Sequence, residues 1–186
     1  MSRLLLIDGN SILNRAFYGI MGNKMLTTKD GKYTNAVYGF LAIMFKVMEE
    51  LEPEYMMVTF DMKGPTKRHE MYKEYKGTRK PMLPELKQQV PLMKEMLKAL
   101  NIKTTELAGF EADDILGTLS KAGEEQGLEV SVISGDRDLL QLATEHVKIR
   151  IPKTKKGKTE IEDYNVTQVL EKYSVTPKEF IDVKAL

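Results

Sequence analysis

Three short apolar runs in this chain each end on an aspartate, and that pattern constrains the fold more than any other feature. Arg3–Ile7 is followed by Asp8, Tyr55–Phe60 by Asp61, and Glu129–Ser134 by Gly135-Asp136-Arg137-Asp138. Runs of this length, bounded by polar turns, predict buried β-strands. Between them lie stripes of helical period. Ile12, Leu13, Ala16 and Phe17 mark one within Ser11–Ile20; Val37, Phe40, Leu41, Met44, Phe45 and Met48 form the expected core face of a longer helix after Asn35. Leu86, Val90, Met93, Leu97 and Leu100 mark a third, and a short strand is expected at Lys103–Leu107. Val147–Ile151 and Glu160–Asp163 predict a hairpin across Lys153–Lys158, and Tyr164–Leu186 two short helices broken near Pro177. Strands alternating with helices predict an α/β fold, a mostly parallel central sheet flanked by helices on both faces. In such sheets ligands bind beyond the carboxyl ends of the strands. Asp8, Asp61, Asp136 and Asp138 are therefore expected along one edge.

Gly109-Phe110-Glu111-Ala112-Asp113-Asp114 adds three carboxylates in four residues, and Ala112, Ile115, Leu116, Leu119 and Ala122 continue it as a helix. One acid in a first helical turn is explained by the helix dipole, at about 0.3–1 kcal/mol. Three repel one another and call for a cation or a raised pKa. With Asp8, Asp61, Asp136 and Asp138 they make seven candidate ligands, all hard oxygen donors suited to Mg2+ or Mn2+. Seven is more than one Mg2+ needs, which favours two ions, and such a pair can activate water against a phosphodiester. The chain has no cysteine and two histidines, which excludes disulfides and thiol catalysis and disfavours zinc. His69 and His146 are read as surface residues without a role.

Lys63–Lys94 carries nine Lys/Arg against three Glu, a net of +6 where the whole chain has +1. Arg68, Tyr72, Tyr75, Lys76 and Arg79 fall at offsets that would line one face of a helix. Cations neutralise phosphates and aromatic faces stack on unpaired bases, so the stripe predicts nucleic-acid binding over a merely solvated helix. Lys148–Lys158 has six Lys/Arg and no acid, a lesser patch that an exposed hairpin also explains. The first apolar run is too short for a signal peptide and nothing approaches a membrane span, so the expected location is cytoplasmic.

Taken together, Asp8-Gly9-Asn10, Thr34–Phe40, Phe60-Asp61, Lys63–Thr66, Arg68-His69-Glu70, Tyr75-Lys76, Arg79, Gly109–Asp114 and Ser134–Asp138 resemble the 5′-nuclease domain of bacterial DNA polymerase I, a relative of flap endonucleases and phage 5′-nucleases. The resemblance runs from Arg3 to Leu186. It implies a divalent-metal phosphodiesterase acting on DNA at 5′ flaps, nicks and 5′ ends in replication and repair. By match, Asp8, Asp61, Glu111, Asp113 and Asp114 would serve a first metal region, and Asp136 and Asp138 a second. The basic segment, about residues 63–95, would form a helical arch over the 5′ strand. Tyr75, Lys76 and Arg79 would lie nearest the scissile phosphate, Lys76 and Arg79 with catalytic roles, and Arg15 would contact substrate from the first helix.

Two departures from the family pattern stand out. Lys67 occupies a position that is usually aromatic. A Gly-Asp-x-x-Asp segment with two further ligands and a helix-hairpin-helix would follow Leu186, so residues 1–186 are expected to be a nuclease core cut short, with a polymerase in cis or in trans and with impaired cleavage. Two rival readings remain at this stage: a single-strand binding module without turnover, and another acid-cluster enzyme such as a PIN-type RNase or a Toprim domain.

Overall fold

The computed structural model describes residues 1–20, 25–78, 81–155 and 158–185. Six strands form one sheet: β1 (Arg3–Asp8), β2 (Tyr55–Thr59), β3 (Lys103–Thr105), β4 (Glu129–Ile133), β5 (Val147–Lys155) and β6 (Lys158–Tyr164). Their spatial order is β3-β2-β1-β4-β5-β6; the first five are parallel, and β6 returns antiparallel as the second arm of the expected hairpin. The chain builds outward from β1 to β3, then crosses back and continues with β4 on the other side. The strand order thus reverses between β1 and β4, where an open α/β sheet forms its ligand crevice. Asp8 is the last residue of β1, in register with Thr59, and Ile7 lies beside Ile133.

Why β1 is a continuous apolar run follows from what covers it. Leu5 and Ile7 pack into one core with α1 (Gly9–Ile20), α2 (Asn35–Leu51) and α5 (Gln89–Ala99), whose fully buried members include Phe17, Phe40, Met93 and Leu97. Leu6 faces the opposite core, built with Leu116 of α6 (Ala112–Glu125) and with Val132 and Ile149. Both faces of the strand are buried, as parallel sheets require. Two short helices, α3 (Lys67–Met71) and α4 (Pro84–Lys87), lie between β2 and α5, and α7 (Val166–Tyr173) and α8 (Phe180–Ala185) close the chain. No helix among the described residues is long and apolar enough to cross a membrane.

Some expected faces are narrower than their periodicity suggests. Phe45 is exposed, because α2 buries the arc through Phe40, Ile43, Met44 and Val47 and turns Phe45 outward; Leu100, just past the end of α5, is exposed as well. From Leu86 onward the basic segment belongs to the core, so its free part ends near Pro84. The N-terminus of α2 has no cap from Thr34. Instead Gln89, fully buried on α5, accepts at Oε1 from the Ala36 N–H (2.8 Å) and the Val37 N–H (3.3 Å) and donates from Nε2 to Asn35 Oδ1 (3.0 Å).

Candidate active site

Helix α1 begins at Gly9, directly after the final residue of β1. A Cβ at Gly9 would stand 2.5 Å from the Phe60 ring, so glycine is what allows the ends of β1 and β2 to come together beneath Asp8 and Asp61. Asp8 is buried at 4% exposure. Its Oδ1 accepts from the Ser11 N–H at 2.9 Å and its Oδ2 from the Ser134 hydroxyl at 2.7 Å. The same Ser134 oxygen accepts from the Asp136 N–H at 3.0 Å, and the Gly135 N–H donates to Ser11 Oγ at 2.9 Å. Asp61 accepts at Oδ1 from the Ala112 N–H at the start of α6 (2.8 Å) and at Oδ2 from Asn10 Nδ2 (3.0 Å). Ser11, Ser134 and Asn10 therefore orient the acids; as neutral polar residues they carry no signal in the sequence by which this role is recognised.

Asp8, Asp61, Asp113 and Asp136 line one cavity of about 730 Å3, together with Arg15 and Lys76. Burial pushes Asp113 up to about 7, and repulsion from Asp8, Asp136 and Asp61 adds to it. Burial likewise raises Asp8 to about 6, against the lowering effect of its two hydrogen bonds, with Asp61 and Asp136 contributing. Negative charge is in excess here, and Arg15 has no ionic partner among the described residues.

The remaining three acids are engaged elsewhere. Glu111, nearly buried, is the N-cap of α6 and accepts from three groups of the basic segment: Arg68 Nη1 at 3.1 Å, the Tyr75 hydroxyl at 3.1 Å and Lys76 Nζ at 2.7 Å. Asp114 accepts from Arg68 Nη1 at 2.9 Å and Nη2 at 2.7 Å, and from the Glu111 N–H at 2.9 Å. The guanidinium holds Asp114 below the usual carboxylate range, and Asp114 in turn raises Arg68. Burial, with Glu111 behind it, pushes the Tyr75 phenol up. Asp138 pairs with Lys184 Nζ at 2.8 Å.

The single helical stripe expected from Arg68 to Arg79 does not form. Helix α3 stops at Met71; Tyr72 is extended (φ −144°, ψ 104°), and Lys76 takes a left-handed φ of 56°. Periodicity loses here to long-range ion pairs: Arg68, Tyr75 and Lys76 reach Glu111 only because the backbone leaves the helix between them. Tyr72 is exposed, and its hydroxyl donates to Glu74 Oε2. Arg79 lies outside the described residues. His69, expected at the surface, is half-buried: its Nδ1 accepts from the Thr66 N–H at 3.2 Å and its ring meets Tyr75 edge-on. The unusual Lys67 places Nζ 4.2 Å from the centre of the Phe110 ring, a cation–π contact, while its N–H donates to the Gly109 carbonyl.

The donor set fits hard divalent cations. All ligand candidates are oxygen, and Asn10 Oδ1 is buried beside Asp61 with no hydrogen-bond partner. Among the described residues no three acidic side chains are close enough to hold an ion by themselves. Mg2+ keeps several waters and takes only one or two carboxylates, so a wide, acid-lined cavity suits it better than a tight cage.

The fold and site together define a parallel α/β sheet with four carboxylates lining a cavity at its switch point and a basic segment pinned beside them by Glu111 and Asp114. The chain belongs to the 5'-3' exonuclease family: a profile of that family's N-terminal resolvase-like domain matches residues 3–174. It is 49% identical over 184 residues to DNA polymerase I of Bacillus caldotenax and 47% identical over 184 to that of Bacillus subtilis (strain 168), covering 99% of this chain and 20% of each relative. The chain thus spans about a fifth of the length of the curated relatives it matches. Among solved structures, T5 5'-exonuclease with bound divalent metal ions (zinc) superposes at a TM-score of 0.72 and 20% identity, over 99% of this chain and 66% of that one. A bacteriophage T5 D15 flap endonuclease complex with DNA and metal ions gives 0.72 and 21%, over 98% and 65%. These likenesses show the fold.

Proposed function

We propose that this chain is the nuclease unit of a DNA polymerase I-type protein, hydrolysing DNA phosphodiesters at 5′ ends, nicks and 5′ flaps with two Mg2+ or Mn2+ ions, in the cytoplasm. The observation that carries this reading is the convergence of Asp8, Asp61, Asp113 and Asp136 on one cavity that Arg15 and Lys76 also line. Those four carboxylates would hold the ions, directly or through retained waters. The ions would supply an ionised water and offset charge on the breaking P–O bond. Asp8 is kept in position by Ser11 and Ser134, and Asp61 by Asn10 and the first N–H of α6. Arg15, which has no ionic partner among the described residues, would bind a phosphate. Lys76 is shared between Glu111 and the cavity, and its ammonium would move toward the phosphate as substrate enters.

The test is cleavage of labelled 5′-flap, nicked and single-stranded DNA with Mg2+, Mn2+ or EDTA, using both residues 1–186 and a longer chain from the same protein. Metal-dependent products that vanish in Asp113→Asn support the reading. Metal-independent DNA binding without products from either protein would leave only a single-strand binding module.

A further inference from the structure

Two tyrosines of the basic segment were candidates for stacking on bases, and both are engaged: Tyr75 donates to Glu111 and Tyr72 to Glu74. Among the described residues, the aromatic side chain that lines the acid cavity is Tyr18, on α1. Ser11, Asn14, Arg15 and Tyr18 all line that cavity, and their spacing of three, four and seven residues puts them on one face of the helix. At about 1.5 Å of rise per residue, Tyr18 stands roughly 10 Å along this wall from Ser11, the residue whose N–H holds Asp8. Arg15 lies between them.

Tyr18 is half-exposed, and its hydroxyl makes no hydrogen bond among the described residues. Its ring meets Phe17 edge-on, with centroids 5.2 Å apart and planes at 89°, and Phe17 is fully buried, so the tyrosine is backed by a fixed partner. Tyr38, Phe45 and Tyr55 are also exposed, but none of them lines the cavity. Met82, from the far side of the basic segment, adds apolar surface to it. The cavity thus carries a cation and an aromatic ring on its wall beside the acids.

We propose that Tyr18 is a stacking shelf for a nucleobase one nucleotide beyond the phosphodiester to be cut, with Arg15 on the intervening phosphate. Aromatic faces hold any base by stacking, so the shelf fixes position along the strand without reading sequence. This rests on the nuclease reading above and adds a base contact to it.

The experiment uses residues 1–186 with Ca2+ and 5′-flap or single-stranded oligonucleotides carrying 2-aminopurine at each of the first few nucleotides around the 5′ junction or end. One position should be quenched by the parent protein, quenched equally by Tyr18→Phe, and unquenched by Tyr18→Leu. An abasic nucleotide at that position should weaken binding by the parent about five- to a hundredfold and leave the already weaker Tyr18→Leu unchanged. Quenching that survives Tyr18→Leu, no quenched position, or an abasic penalty equal in both proteins would overturn the shelf while leaving the nuclease reading intact. A parent protein that binds none of the DNAs would also overturn the shelf, while the nuclease reading is decided separately by cleavage with the longer chain.

Discussion

Arg68 grips Asp114 with both arms of its guanidinium, Nη1 at 2.9 Å and Nη2 at 2.7 Å, and the first of these also reaches Glu111 at 3.1 Å. A residue expected to meet DNA phosphates is thus spent on the protein's own acids, tying the basic segment to the start of α6. That pairing separates Asp114 from Asp113, its neighbour in sequence: one is neutralised outside the cavity, the other lines it with a raised pKa.

Arg68→Ala should therefore leave the salt dependence of single-strand binding nearly unchanged, whereas each true phosphate contact contributes about −0.7 to the slope of log K against log[salt]. Arg15→Ala should flatten that slope by one such step. Arg68→Ala should instead cost about 1 kcal/mol of stability, a modest value because the guanidinium is partly solvated, and a double-mutant cycle with Asp114→Asn should show the two coupled. Fluorescence anisotropy at several salt concentrations, with denaturant melts alongside, checks both.

Metal-free stability should fall as pH rises from 5 to 8. The folded state holds protons on Asp8 and Asp113 up to about 6 and about 7, while the unfolded chain releases them near 3.8. Their contribution is fully present below about 3.8 and is lost as pH passes through those folded values. Asp113→Asn should make the decline in Tm shallower in EDTA, and added Mn2+ should restore Tm at pH 8 in the parent more than in the variant.

Titration calorimetry with Mn2+ should detect at least one site. Asp113→Asn together with Asp8→Asn should weaken it at least tenfold. Asp114→Asn should change it much less, since that carboxylate does not line the cavity. Equal losses from both alterations would put Asp114 back among the ligands.

Gln89→Leu should destabilise the fold by about 2 kcal/mol in urea melts. It strips acceptors from the Ala36 and Val37 N–H groups and a donor from Asn35, all buried, and unpaired buried polar groups cost about 1–3 kcal/mol. Gln89→Glu, which keeps the acceptor, should cost less than Gln89→Leu at low pH, where the introduced carboxyl is protonated.

The aspartates at the strand ends were legible because a buried parallel strand has a simple signature, an unbroken apolar run, and the acids come at or within three residues of where it stops. Nothing comparable marks Ser134, Asn10 or Gln89. Their value lies in partners 126, 51 and 53 residues away, and a neutral polar side chain gives no hint of a distant partner. The basic segment misled in a different way. Its offsets are compatible with a helix, but the pull of Glu111 on Arg68, Tyr75 and Lys76 is absent from any local window, and it outweighs the local preference. Phe45 shows the same limit on a small scale: periodicity marks a stripe without setting its width.

The hydrogen bond from Ser134 to Asp8 also sets an order of events during synthesis. A chain leaving the ribosome presents Asp8 first, yet the strand that completes its surroundings, β4, inserts beside β1 only after more than a hundred further residues have emerged. Until then β2 can pair with β1 on one side, but the other edge of β1 stays open and the crevice has a single wall. Such distant parallel pairing is slow to form. A nascent chain that has made Asp8, Asp61 and Asp113 therefore still lacks Ser134 and Asp136, and with them one wall of the cavity.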